Sequence, residues 1–202
     1  MPNDSAKYNI NTPAGIFRII FSEKNASRVK SSGNELSITS SRFLKENELN
    51  NNFSTLDELI DRKHEPYIAW VKGYFNGGFK DSKELVFSYS ATASDFQKEV
   101  WSAISLIPYG TVVSYQEIAL RIGRPSSSRA VANACGSNPF QLFIPCHRVV
   151  RQDGSLGGYE AGERIKKFLL NKERSMLPDD QRGQRFSIKV KEEKIGFSDS
   201  MG

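Results

Sequence analysis

The chain has 202 residues, 38% hydrophobic and 11% aromatic, with 28 Lys/Arg against 23 Asp/Glu and a net charge of +5. That length and composition suffice for one large domain or two small ones with a real core, and no run of about 18 apolar residues offers a membrane span. Two cysteines and two histidines exclude a disulfide framework and amount to barely the four closely placed donors of a structural metal site, without ligand-like spacing, so no metal is expected.

The N-terminal stretch "MPNDSAKYNI" lacks the basic start, apolar run and cleavage site of a secretory leader, and an intracellular protein is expected. "GIFRIIF" (Gly15–Phe21) and "NELSITSS" (Asn34–Ser41) read as strands around a polar, turn-prone segment. Leu44–Ser54 reads as a loop. A helix is predicted from near Thr55 or Leu56 through Gly78, with Ile68, Val71, Tyr74 and Phe75 on one apolar face and Asn76-Gly77-Gly78 as its stop. "ELVFSYS" (Glu84–Ser90) is a further candidate strand. His64 reads as an exposed loop or helix-surface residue.

The second half is more regular. Thr92–Ile107 has Ser94 as candidate N-cap and Phe96, Val100, Ile104 and Ile107 at helical spacing, with Pro108-Tyr109-Gly110 as its break. Ser114–Gly123 and Ser128–Asn138 read as two short helices around a Gly/Pro-containing turn, a helix-turn-helix candidate. The second carries Ala130, Ala132, Ala134 and Gly136 behind Arg129. Such a slim helix suits close approach either to a nucleic acid backbone or to a neighbouring helix. Residues 91–177 hold 11 Lys/Arg against 7 Asp/Glu, whereas the flanking segments are nearly balanced. The positive excess therefore sits where a phosphate backbone would recruit it. The expected class is α/β (α+β): a small mixed α/β domain over 1–90, a mostly helical domain with a helix-turn-helix over 91–177, and a disordered polar tail over 178–202.

Cys146 and His147 are adjacent in "LFIPCHRVV" (Leu142–Val150). A thiol attacks well only as thiolate, and a neighbouring imidazole can assist as base. On a strand the two side chains would point to opposite faces. Either the backbone turns at Pro145, or the proton moves through a water. A third group should orient the ring, and Glu160, Glu163 and Glu173 are all available. The bland reading makes Cys146 a small core residue, as Cys135 is read.

"IPCHRVV" (Ile144–Val150) resembles the active-site motif of the O6-alkylguanine-DNA alkyltransferases. "FQKEVWSAISLIPYGTVVSYQEIALRIG" (Phe96–Gly123), "SRAVANACGSNP" (Ser128–Pro139), "DGSLGGY" (Asp153–Tyr159) and "KKFLLNKE" (Lys166–Glu173) resemble that family in order and spacing. The first 90 residues resemble it chiefly through "GYFNGGF" (Gly73–Phe79).

This resemblance implies direct DNA repair: one irreversible, stoichiometric transfer of the alkyl group from O6-alkylguanine to Cys146 after base flipping. By the matching motifs, His147 deprotonates the thiol through a water, Glu173 orients His147, and Asn138 braces the turn. Tyr115, Val149, Gly157, Gly158 and Tyr159 would form the base pocket, with Tyr115 as donor to the leaving base. Ser128, Arg129, Ala130, Ala132 and Ala134 would meet double-stranded DNA in the minor groove, with Arg129 filling the gap left by the flipped nucleotide. It further implies a monomer without cofactor, in the nucleus of a eukaryote or the cytoplasm of a prokaryote. The zinc of some relatives is not carried over, because no Cys or His is to spare. Gln141, where some relatives carry a second proline, is placed near the pocket rim. No additional repair or regulatory domain is expected.

Overall fold

The computed structural model describes residues 5–22, 37–48, 60–77, 87, 89–90 and 92–178. The expected tail lies outside these residues but for Pro178, as do most of the expected Glu84–Ser90 strand and residues 55–59 of the expected first helix.

The N-terminal half is an antiparallel sheet of order β1-β2-β3 packed on one helix. β1 (Ser5–Thr12), which sequence patterning had not marked, pairs with β2 (Gly15–Ser22) through a tight hairpin that closes at Thr12 and Gly15. Its turn is fastened by Thr12 Oγ1 donating to Gly15 O and accepting from Ala14 N–H. Along β2 the residues alternate, so Phe17, Ile19 and Phe21 are buried on one face. β3 (Ser37–Phe43) pairs antiparallel with β2, with an irregularity at Ile20/Phe21.

Helix α1 (Glu65–Asn76) begins later than expected, because residues 61–64 form a turn and Pro66 suits the first helical turn. His64 N–H donates to Asp61 O in that turn. The helix ends as predicted, with Gly77 at φ 83°. It buries Tyr67, Ile68, Val71, Tyr74 and Phe75. His64, expected on the surface, is only 2% exposed: its Nδ1 lies 2.8 Å from Tyr8 Oη, and its ring lies against Phe21.

The C-terminal half opens with α2 (Asp95–Ser105), started by a capping box in which Ser94 and Gln97 satisfy each other's backbone N–H groups. After Gly110 the chain forms β4 (Val113–Ser114), a two-residue parallel pair with β5 (Val149–Val150). α3 (Tyr115–Arg121), capped by Ser114, and α4 (Ser128–Gly136) are the expected helix pair, and both pack on α2. α5 (Glu163–Ser175) closes the described chain.

The two halves share one apolar cluster running from Ile10 and Phe17 through Tyr74 and Trp101 to Phe143 and Leu169. Phe143 lies 4.8 Å from the Trp70 ring and 6.1 Å from Phe17. Ser41 on β3 joins the backbone of Pro139 and Gln141 through both its N–H and its C=O. Among the described residues no helix is long and apolar enough to cross a membrane, and no group of three His, Cys, Asp or Glu could hold a metal ion. The molecule is a mixed α/β protein.

Candidate active site

The segment between α4 and β5 delivers Cys146 by turns rather than by a strand. Pro145 has φ −80° and ψ 59°, and Cys146 N–H donates to Ile144 O at 2.8 Å, which makes an inverse γ-turn. A 3-10 turn over Cys146–Arg148 follows, with Arg148 N–H bonded to Pro145 O. Leu142 takes a left-handed backbone, φ 70°, in the turn before it. Successive side chains on such a turn diverge by about 120°, so Cys146 and His147 face different partners.

Asn138 sits just past α4 and fixes this geometry from one side. Its Oδ1 accepts from Phe140 N–H, while Nδ2 donates to Ile144 O at 2.9 Å and to Cys146 Sγ at 3.0 Å. Cys146 is 3% exposed. Burial pushes its thiol up, against the pull of the Asn138 donor and the Lys166 charge, so the resting group is a protonated thiol.

His147 is fully buried, and its Nε2 lies 2.8 Å from Glu173 Oε1. Its Nδ1 has no hydrogen-bond partner among the described residues. Burial lowers the ring's pKa, partly offset by Glu173, so the imidazole is neutral and can accept a proton. Glu173, not Glu160 or Glu163, reaches His147. It is 1% exposed and multiply held: Arg148 donates through Nε and Nη2, Gly110 N–H donates to Oε2 at 2.8 Å, and Tyr74 Oη donates to Oε1 at 2.7 Å. Burial alone would raise the carboxyl, but the Arg148 guanidinium and His147 outweigh it and hold it well below the usual range. Arg148 also donates to Ile107 O.

The expected pocket residues converge on the same side. Gly157, at φ 67°, passes so close to Tyr115 that a Cβ there would stand 2.7 Å from the hydroxyl, so any other residue would be strained and would push the tyrosine aside. Lys166 is fully buried; its Nζ donates to Val149 O at 2.7 Å and Gly158 O at 3.4 Å, and lies 5.9 Å from the Tyr115 ring centre. It ties the glycine loop to β5. Burial lowers its pKa to about 8. The Tyr159 hydroxyl is enclosed and has no partner among the described residues. Gln141, expected at a pocket rim, is 1% exposed; its Oε1 accepts from Phe43 N–H and its Nε2 donates to Glu160.

On α4, Arg129 and Ala130 are exposed and Ser128 and Ala132 half-buried. Ala134 departs from the expected surface: it is 3% exposed and packs inward with Val131 and Cys135, while Trp101 Nε1–H donates to its carbonyl. Val131, Ala134 and Cys135, spaced three and four apart, form the packed stripe of the helix and take Ala134 inward, so the small-residue run serves both outward access and packing on α2.

Tyr74, Arg148, Gly110 and Lys166 escaped the sequence reading. Lys166 left a trace, because it falls on the buried stripe with Ile165, Leu169 and Leu170, where a lysine is rare without a partner.

The family model described as 6-O-methylguanine DNA methyltransferase, DNA binding domain, matches residues 95–175. The regulatory protein Ada of Salmonella typhimurium is 55% identical over 78 residues, 39% of this chain and 22% of that protein. The methylated-DNA–protein-cysteine methyltransferase of Methanosarcina barkeri is 46% identical over 107 residues, 53% of this chain and 66% of its own length. The chain thus spans less than two thirds of these two relatives. A crystal structure described as Mycobacterium tuberculosis OGT in complex with DNA superposes with a TM-score of 0.65 at 30% identity, covering 87% of this chain and 97% of that one. Likeness on that scale reaches both halves and includes the residues around Cys146: the chain belongs to the methylated-DNA–protein-cysteine methyltransferase family.

Proposed function

We propose that the protein repairs double-stranded DNA by moving the alkyl group from O6 of a damaged guanine onto Cys146, once per molecule. The observation that carries this reading is the enclosed cysteine braced by Asn138, next to a neutral histidine whose outer nitrogen is bound by a buried carboxylate.

In this reading His147 Nδ1 takes the Cys146 proton through one water. The thiolate attacks the alkyl carbon in line with the carbon–oxygen bond; the S–C bond forms as the C–O bond breaks, and the electron pair passes to the guanine. The Tyr115 hydroxyl, a neutral donor because burial pushes its pKa up, compensates that charge. The imidazolium formed is stabilised by Glu173. The product thioether is stable, which is why turnover stops. A base within a duplex cannot present its O6 substituent to an enclosed thiol, so it must be flipped out. Exposed Arg129, at the start of α4, supports a role in filling the gap from the minor groove as the slim outer face of the helix comes close. The protein would act as a monomer, inside the cell, where thiols stay reduced.

Incubation with a duplex containing one O6-methylguanine, followed by intact mass and peptide mapping, tests the proposal. One methyl on the Cys146 peptide, restored DNA and no second turnover are expected, and Cys146→Ala should bind the duplex without transfer. Tight binding without a mass change would make the protein a lesion-recognition module. Methyl transfer persisting in Cys146→Ala would move the acceptor elsewhere.

A further inference from the structure

Tyr74 has no part in the mechanism above. It belongs to α1, in the N-terminal half, 73 residues before His147 and 99 before Glu173. Its hydroxyl donates to Glu173 Oε1 at 2.7 Å, and its oxygen lies 3.4 Å from His147 Nε2. Carboxylate, imidazole and phenol thus form a closed three-membered set.

The phenol has little freedom. Trp70 stacks on it at 5.8 Å and 25°, Phe75 and Tyr109 meet it edge-on, and its own plane stands at 85° to the His147 ring. Burial, reinforced by the Glu173 charge, pushes its ionisation well above the ordinary value, so it is a neutral one-proton donor. That proton is committed to the Glu173 carboxylate. Toward His147 the phenol oxygen therefore offers lone pairs only. Both groups facing Nε2, the carboxylate and the phenol, are then acceptors, and the ring proton has to sit on Nε2. Arg148, from the same 3-10 turn, and Lys166, from α5, are cations that disfavour a second ring proton. Tyr109 and Tyr159, the remaining titratable neighbours of this cluster, are held neutral by burial.

We infer that Tyr74 is a positioning residue for alkyl transfer, contributed by the N-terminal half: by directing its proton to Glu173 it leaves Nε2 of His147 only acceptors to face, and so keeps Nδ1 as the lone-pair nitrogen available to the Cys146 proton. The inference rests on the proposed transfer reaction for its purpose, but its geometry stands apart from it.

Tyr74→Phe removes one oxygen and keeps the ring packing. The direct readout is the 15N spectrum of the imidazoles in histidine-labelled protein; there are only two, and the His64 signals are identified by their loss in His64→Gln. In the parent protein His147 should show a single Nε2–H form at neutral pH, with a ring proton slow enough in exchange to be seen. In Tyr74→Phe the Glu173 carboxylate still faces Nε2, so the Nε2–H form should persist, but with the carboxylate less firmly held the ring proton should exchange faster and methyl transfer should slow about tenfold with unchanged duplex affinity. In a Glu173→Gln background the same substitution should add little further loss. Ring-proton exchange identical in parent and Phe variant would overturn the inference whatever the rate does, as would absence of the slow ring proton in the parent. If the parent moves no methyl group yet the ring responds as described, the repair reading fails and the positioning role of Tyr74 stands.

Discussion

Glu173 is the residue on which the site turns, because it accepts from four groups and is matched to a buried guanidinium. Glu173→Gln leaves Arg148 buried without its counter-charge, which should cost about 3–5 kcal/mol in urea unfolding and slow methyl transfer. An unchanged rate would mean that another group orients His147. Lys166 supplies a pH dependence. Its pKa falls with burial from 10.5 to about 8, so between those values the unfolded chain binds the extra proton. The contribution of this group to stability is full above the ordinary value and is lost as pH falls through about 8. From about pH 7 to about pH 10, the stability difference between wild type and Lys166→Met should therefore move in the wild type's favour by ~2.5 kcal/mol; a constant difference would mean a solvated ammonium. Cys146 and His147 stood out by their adjacency, whereas Asn138 and Glu173 were reached only through the family resemblance, since the residues alone left Glu160, Glu163 and Glu173 open. Tyr74 was not legible, because a bond across 99 residues leaves no periodicity in either partner. His64 was misjudged for a related reason: its partner Tyr8 lies on a strand that the polar sequence of β1 conceals.

At the scale of elements, local signals governed the outcome. Ser94→Ala removes the side-chain half of a capping box and keeps the backbone N–H that donates to Gln97; it should cost about 1 kcal/mol in thermal unfolding, with transfer unaffected by more than the loss of folded protein. On α4, Arg129→Ala removes an exposed side chain. It should leave stability unchanged and slow repair of duplex DNA far more than reaction with free O6-methylguanine; equal losses would contradict a role in flipping. The helices from α2 to α4 were read closely because caps, apolar spacing and glycine stops agree there. The parallel pair β4–β5 was not, since two residues are too few to carry a pattern, and that pair sets Val113 beside Val149 just before Tyr115. Ala134 shows the limit of composition: a run of small residues says that something comes close, not on which side.

At the scale of the whole molecule, the boundary expected near residue 90 crosses a common core. Phe143 lies in the segment leading to Cys146, yet it packs against Phe17 on the sheet and Trp70 on α1. Phe143→Ala should cost about 3–5 kcal/mol, and calorimetry should show one transition, with both halves melting together. Two resolved transitions would instead mark independently folding units. Composition suggested two parts because the halves differ in patterning, and the contacts that join them were beyond local reading.

The enclosure of Cys146 also bears on what happens before any damage arrives. Oxidants and stray electrophiles in the cell consume thiolates that stand in solvent. At 3% exposure and with its proton retained, Cys146 presents them neither charge nor surface. In the proposed reaction the electrophile would come attached to a planar base seated between Tyr115 and Gly157. For the proposed single transfer, the same burial that slows ionisation would act as a shelf life: the thiol would wait unspoiled, and its chemistry would start only when a substrate brought the reaction with it.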